Sequence, residues 1–418
     1  MLLLDGGRVL RSMTQADRPF RLEFYEATCL FPQMRFLPRM LEPALLRARR
    51  NFPAVVLTGP RRVGKTMLLR HVLPGADYRL LEDPDVLARV RADPRGFFDE
   101  LKPPVILDEV QNAPELLAYV RTRIDAVPRK TGQWFLTGSQ ESALMQGVSE
   151  SLAGRAAILH LLPLSTQESP NVDLWLGGFP EVVARPRARD LWFSSYLQTY
   201  LERDVRGVTQ VRDLATFRRF MGLVASRHGQ ILNKTDLAGP LGASVHTVAQ
   251  WLGVLETTGL LALIPPYFEN FGKRLLKSPR LYWLDSGLAS HLLGLRSRSE
   301  LERSPFHGAL WEGFVAAEII KTQINAGGKR ELYYFRDEQG LEVDFVLPGP
   351  RGKLRLVEVK ATRTPLPAMA RPLRSLGSNL GERAEMLLVH RASKMPAKTA
   401  ALAPGVKAVD LGGFLRMH

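Results

Sequence analysis

The residues Gly59-Pro60-Arg61-Arg62-Val63-Gly64-Lys65-Thr66 are spaced as a phosphate cradle. Glycines at both ends of the turn let the backbone bend tightly, so that its N–H groups and those of a following helix converge on one anion. On this reading Gly59, Pro60, Arg61, Arg62, Val63, Gly64, Lys65, Thr66 and Met67 surround the phosphates of a nucleotide. Lys65 neutralises β/γ charge, and Thr66 offers a hydroxyl to Mg²⁺. Further along, the apolar run Pro104–Leu107 ends in Asp108-Glu109. Asp108 can complete the Mg²⁺ shell, and Glu109 can orient and deprotonate the attacking water. A third run ends in Thr137-Gly138-Ser139, where a small hydroxyl residue, Ser139, can sense the γ-phosphate or position water. Arg155 follows Gly154 just before another apolar run and has the character of an arginine finger, acting in cis or from a neighbouring subunit.

A second constellation lies near the C-terminus. Asp344 and the triplet Glu358-Val359-Lys360 flank the turn Pro348–Lys353, and hairpin pairing across that turn brings Asp344 near Glu358. Alternation in a strand puts Glu358 and Lys360 on one face. Glu312, beside apolar positions of a helical stretch, can approach the same place. Glu312, Asp344 and Glu358 are therefore candidate Mg²⁺ ligands that activate a water, with Lys360 positioning it or stabilising phosphate charge. This is the D…E-x-K arrangement of metal-dependent nucleases.

Elements must position these groups. Strand-like runs alternate with helical ones from Pro53 to Leu161, which predicts a parallel sheet covered by helices on both faces, with the nucleotide at the strands' carboxyl ends. Residues 187–213 read as a helical lid or connector. Residues 214–285 read as three helices and a hairpin, a winged helix-turn-helix pattern. Its third helix exposes His246, Thr247 and Gln250, and its wing carries Lys273, Arg274, Lys277 and Arg280. In a DNA-bound form the helix enters a major groove while the wing grips phosphates.

Composition narrows the classes. The 418 residues suggest two to four domains. One cysteine, Cys29, excludes a disulfide framework and a cysteine-based zinc site, and it fits a cytoplasmic protein. No apolar run reaches the ~18 residues of a membrane helix. The net charge is +15 and the pI about 10.1. Residues 351–418 carry 13 basic and 4 acidic side chains, +9 of that surplus. An arginine-rich genome would spread the excess, so its location favours a polyanionic partner, nucleic acid or an anionic surface.

Beyond the phosphate loop, several short motifs stand in one order. They are Leu-Asp-Glu-Val-Gln (107–111), Leu-Thr-Gly-Ser (136–139), Ser-Leu-Ala-Gly-Arg (151–155), Gly-Gly-Phe-Pro (177–180), Tyr-Leu-Glu-Arg-Asp (200–204) and Asp285-Ser286-Gly287-Leu288, followed by Val343-Asp344-Phe345 and Glu358-Val359-Lys360. With the loop, this set resembles a large group of prokaryotic AAA-type ATPases. The resemblance runs from about residue 34 to about 410. It implies an α/β chain with a P-loop NTPase parallel sheet (34–186), the helical connector, the winged-helix-like segment and a restriction-endonuclease-like C-terminal domain (286–418). It implies ATP and Mg²⁺ as ligands, and leaves DNA, a second copy of the chain or another protein as partners. Residues 1–33 lie outside it, either as an added element or as a gene-model artefact with Met34 as the start.

Overall fold

The strand Ala54–Thr58 (β1) is five apolar or β-branched residues, and all five are buried. A strand of this kind belongs inside a parallel sheet covered on both faces. In the computed structural model it pairs in parallel with Trp134–Thr137 (β4) on one side and Ala156–His160 (β5) on the other. Asp77–Leu80 (β2) and Val105–Asp108 (β3) complete a five-stranded sheet in the order β2-β3-β4-β1-β5. The helices Lys65–Val72, Pro84–Ala92 and Leu116–Ala126 accompany it. One apolar core joins Val56, Leu107 and Leu136 of the strands to Val90, Leu117 and Val120 of the helices.

The structure describes residues 36–138, 148, 150–200, 214–267, 278–391 and 400–417, without the side chains of Tyr200 and Ala400. The chain divides into residues 1–36 and 37–418, and every element named here belongs to the second unit. Lys273, Arg274, Lys277 and Ser139 lie outside the described residues, as do 1–33 and the connector from 201 to 213.

Residues 214–285 form the helices Leu214–Ser226, Lys234–Ala238 and Val245–Thr257, then an antiparallel pair, Leu261–Ile264 (β6) and Arg280–Trp283 (β7). Ser244 caps the third helix by accepting the Thr247 N–H at 3.0 Å. His246 and Gln250 are exposed, and Thr247 is half-buried.

The C-terminal sheet has six strands in the order β12-β13-β11-β10-β9-β8. These are Tyr333–Arg336 (β8), Glu342–Pro348 (β9), Leu354–Lys360 (β10), Ala384–His390 (β11), Ala400–Ala403 (β12) and Val406–Asp410 (β13). β9 and β10 are antiparallel with Phe345 opposite Val357, whereas β10, β11 and β13 are parallel. No helix among the described residues is long and apolar enough to cross a membrane.

The helix His307–Asn325 joins the two sheets. It is buried on nearly every side, touching β5, β7 and β10, as befits a helix apolar all round. Its two buried charges are paired. Glu318 accepts from the Thr166 N–H at 2.7 Å and hydroxyl at 2.6 Å, and Lys321 reaches Glu318 and the Leu164 carbonyl, each at 2.9 Å. Residues 164–166 are the exit from the first sheet, so this pair fastens that sheet to the helix. Removing one member leaves the other charged, buried and alone. Glu318→Ala should therefore cost ~3–5 kcal/mol of stability, read from urea denaturation, and Glu318→Gln should cost less. A loss under ~1 kcal/mol for the alanine variant would remove the pair from that role.

Candidate active site

Parallel pairing sets the carboxyl ends of β1, β4 and β3 side by side. β1 turns directly into the loop Gly59–Gly64, and the helix Lys65–Val72 follows. Gly59 has no alternative at its position: it has φ 134°, and a Cβ there would lie 2.1 Å from the Leu161 carbonyl oxygen. Gly64 (φ 94°) and Arg62 (φ 62°) also take left-handed conformations. The loop thus curls over the start of the helix, where backbone N–H groups favour an anion.

Asp108, at the end of β3, is 3% exposed and gathers three hydroxyls. The Thr66 hydroxyl donates to Oδ2 at 2.8 Å and the Tyr78 hydroxyl to the same oxygen at 2.7 Å. The Thr137 hydroxyl donates to Oδ1. Burial and then the hydrogen bond to Asp108 push the Tyr78 phenol well above its ordinary value, so it stays a donor. The Glu109 N–H is in turn received by the Thr137 oxygen at 3.0 Å. Glu109 sits at φ 58°, an unfavoured conformation for a non-glycine residue, and its carboxylate accepts from Gln111. Lys65 donates to the carbonyls of Gly59 at 2.9 Å and Pro60 at 3.0 Å.

The loop is held from several distant segments. Arg39 is buried and donates to the Val63 carbonyl and the Leu162 carbonyl, both at 2.7 Å, while Glu168 binds its Nε at 3.0 Å. Arg61 faces Glu82 at 3.7 Å, and Arg62 faces Glu181 at 4.0 Å. Burial raises the Glu181 carboxyl above its usual range. Gly259, just before β6, lies against Pro60: a Cβ there would be 3.0 Å from Pro60 Cδ.

Arg155 is not brought to the loop. It precedes β5 at the amino ends of the strands, where its carbonyl accepts the Ala54 N–H at the start of β1. Its guanidinium grips Asp125 with two bonds, 2.7 and 3.1 Å. The length of β1 thus separates it from the phosphates of its own chain, and the cis role fails. Thr137, Tyr78 and Arg39 were not singled out from sequence. Thr137 stands two residues from Ser139 in the same motif. Tyr78 carries no signal, because only the pairing of β2 with β3 brings it to Asp108.

In the C-terminal domain Asp344 accepts the Val359 N–H at 2.8 Å, and Lys360 reaches Glu358 at 2.6 Å. Arg280 lies among the acids, 5% exposed, and it does not grip phosphate at a wing. It approaches Glu342 at 2.8 Å, Glu312 at 3.3 Å and Asp344 at 3.7 Å. β7 is paired to β6 and packed on the His307–Asn325 helix, so its first residue points inward. Tyr282 also donates to Glu312. Burial, then the neighbouring Asp344 charge, pushes the Glu312 carboxyl up to about 8 and the Glu358 carboxyl up to about 7. The residues do not fit a metal as they stand: among the described residues no three acidic, histidine or cysteine side chains form a ligand group, and a guanidinium fills the space between Glu312 and Asp344.

Residues 51–169 match the family described as AAA domain, and the loop and sheet make this an AAA-type P-loop ATPase domain. Residues 172–299 and 307–407 match two domains of unknown function, DUF8612 and DUF4143. Over 355 residues the chain is 34% identical to uncharacterized proteins of Mycobacterium tuberculosis and Mycobacterium bovis, covering 83% of this chain and 78% of each relative. The chain belongs to the same family as these two proteins. Among solved structures it is similar to a Walker-type ATPase of Pyrococcus abyssi, with 16% identity, 63% of this chain, 99% of that one and a TM-score of 0.44. A second is AMPPCP-bound DnaA from Aquifex aeolicus, with 13% identity, 52% and 85% coverage and a TM-score of 0.25.

His228 supports β7 from below. Its Nδ1 accepts the Trp283 N–H at 3.1 Å, and burial pushes the imidazole down to about 3 from 6.5. The folded form keeps it neutral while the unfolded chain protonates it below 6.5. Stability from this group is therefore full above 6.5 and lost as pH falls toward 3, by up to ~1.4 kcal/mol per pH unit. Comparing urea midpoints across this window, His228→Gln should show a shallower acid slope than the wild type. Equal slopes would mean that another group carries it.

Proposed function

We propose that this protein is a Mg²⁺-dependent ATPase that hydrolyses ATP at the Gly59–Thr66 loop. The observation that carries this reading is the meeting of Thr66, Thr137 and Asp108 beside Glu109. The loop N–H groups receive the phosphates. Lys65 leaves the Gly59 and Pro60 carbonyls for the β/γ oxygens, where its charge counts for more. Mg²⁺, when bound with the nucleotide, would be held by the Thr66 hydroxyl and by Asp108, and supplies positive charge to the phosphate oxygens. Glu109 takes a proton from the attacking water, and Thr137 holds the Glu109 backbone in position. Arg155 is left to act on a neighbouring subunit's nucleotide, which makes assembly part of this reading.

The rest of the chain we read as a winged-helix-like segment and a restriction-endonuclease-like domain that respond to the nucleotide. Arg280 among the acids favours a DNA-binding or protein-binding switch over a nuclease, and the +9 surplus beyond residue 350 suits a polyanion. Such a complex should weaken steeply with salt.

Purified protein should release phosphate from ATP with Mg²⁺. Lys65→Ala should abolish nucleotide binding. Glu109→Gln should keep binding and lose ~10²–10⁴-fold in turnover, the usual contribution of a general base. Full turnover in Glu109→Gln would sink the assignment of Glu109. Absence of any nucleoside triphosphate binding by the wild type would sink the ATPase.

A further inference from the structure

The acids of the C-terminal domain have donors already in place. Glu312 takes the Tyr282 hydroxyl and the Arg280 guanidinium, Glu342 takes Arg280, and Glu358 takes Lys360. Asp344 takes a backbone N–H and lies 3.7 Å from Arg280. One acceptor is left over: Glu358 Oε2 is buried with no hydrogen-bond partner. An orphaned carboxylate oxygen in a buried acidic group is costly, and Arg280 Nε is likewise buried without a partner, so these acids depend on the cations that the fold packs among them.

A divalent metal would need several of these oxygens at once. Mg²⁺ requires near-octahedral oxygens at ~2.0–2.1 Å. Arg280 prevents that arrangement by both charge and volume. Its planar fork spans two carboxylates, a task a lysine's single ammonium does less well. It is fixed from behind as well, with its guanidinium 5.0 Å from the centre of the Tyr334 ring. It also comes from outside the sheet that carries Asp344 and Glu358. β7 belongs to the two-stranded hairpin, whose partner strand begins two residues after Gly259 at the phosphate loop. The cation and the acids therefore sit on separate elements, and the pair forms only while the hairpin is docked.

We propose that the Arg280 guanidinium is the resident cation of this carboxylate cluster, and that it closes the cluster to divalent metals while the hairpin is docked. Removing the guanidinium leaves Glu312, Glu342 and Asp344 without their shared counter-charge. A metal then becomes the cation that restores it.

The test uses nucleotide-free protein, so its outcome is independent of the ATPase reading, with Mn²⁺ as the probe and electron paramagnetic resonance near neutral pH as the readout. Wild type should bind no Mn²⁺ that Asp344→Asn removes. Arg280→Met should bind one Mn²⁺ about tenfold or more tighter than the wild type, a difference of ~1.4 kcal/mol or more. Adding Asp344→Asn to Arg280→Met should abolish that site. A wild-type Mn²⁺ site lost in Asp344→Asn overturns the proposal, as does an Arg280→Met protein that is folded by circular dichroism and binds no better than the wild type. If Arg280→Met fails to fold, the wild-type comparison decides: an Asp344-dependent site refutes the proposal, and its absence upholds it.

Discussion

The carboxylate of Asp108 is the point on which the nucleotide site depends. It is buried at the end of β3, where an unpaired charge would be expensive. Three hydroxyls offset that cost, and each comes from a different element: Thr66 from the loop helix, Tyr78 from β2 and Thr137 from β4. The same bonds that satisfy the charge also fix the spacing between loop and sheet. Thr137 then passes the constraint to Glu109 through the backbone. One buried acid thereby orders the loop helix, β2, β4 and the Glu109 backbone together.

The phosphate loop is also where the chain's distant parts meet. Arg39 and Glu168 brace its middle, Glu82 and Glu181 face its arginines, and Gly259 lies against its proline. Gly259 leads into the hairpin whose other strand carries Arg280 into the C-terminal acids. The buried Glu318–Lys321 pair fastens the sheet's exit to the helix that carries Glu312. A change at the loop therefore has a packed, hydrogen-bonded route to the second domain. Packed interiors transmit such shifts because they have little free volume to absorb them.

The two acidic sites manage charge differently. At Asp108 neutral hydroxyls satisfy the carboxylate oxygens, and no cation of the chain is among these donors. At Glu312 and Asp344 a guanidinium from the same chain supplies the charge directly. The first arrangement suits a ligand that comes and goes. The second suits a contact between elements of the fold.

Sequence alone determined the features that are contiguous. The loop Gly59–Thr66, its strand and helix, and the apolar strand ending in Asp108 are local patterns, because backbone conformation and strand burial are set by neighbouring residues. The parallel sheet of the first domain followed from alternating runs. The β9–β10 register was legible too, because a short turn leaves one close pairing, with Phe345 opposite Val357. Tertiary structure decided what depends on non-adjacent elements. Tyr78 meets Asp108 only because β2 lies beside β3, and Arg39 reaches Val63 only because a distant segment folds under the loop. Arg155 reads as a finger in sequence, but strand direction sets it at the amino ends of the strands, away from the loop. Arg280 reads as a surface cation, yet the docking of its hairpin buries it among three carboxylates. Charge type is written in the residue; whether that charge meets solvent, phosphate or another side chain is set by what packs over it.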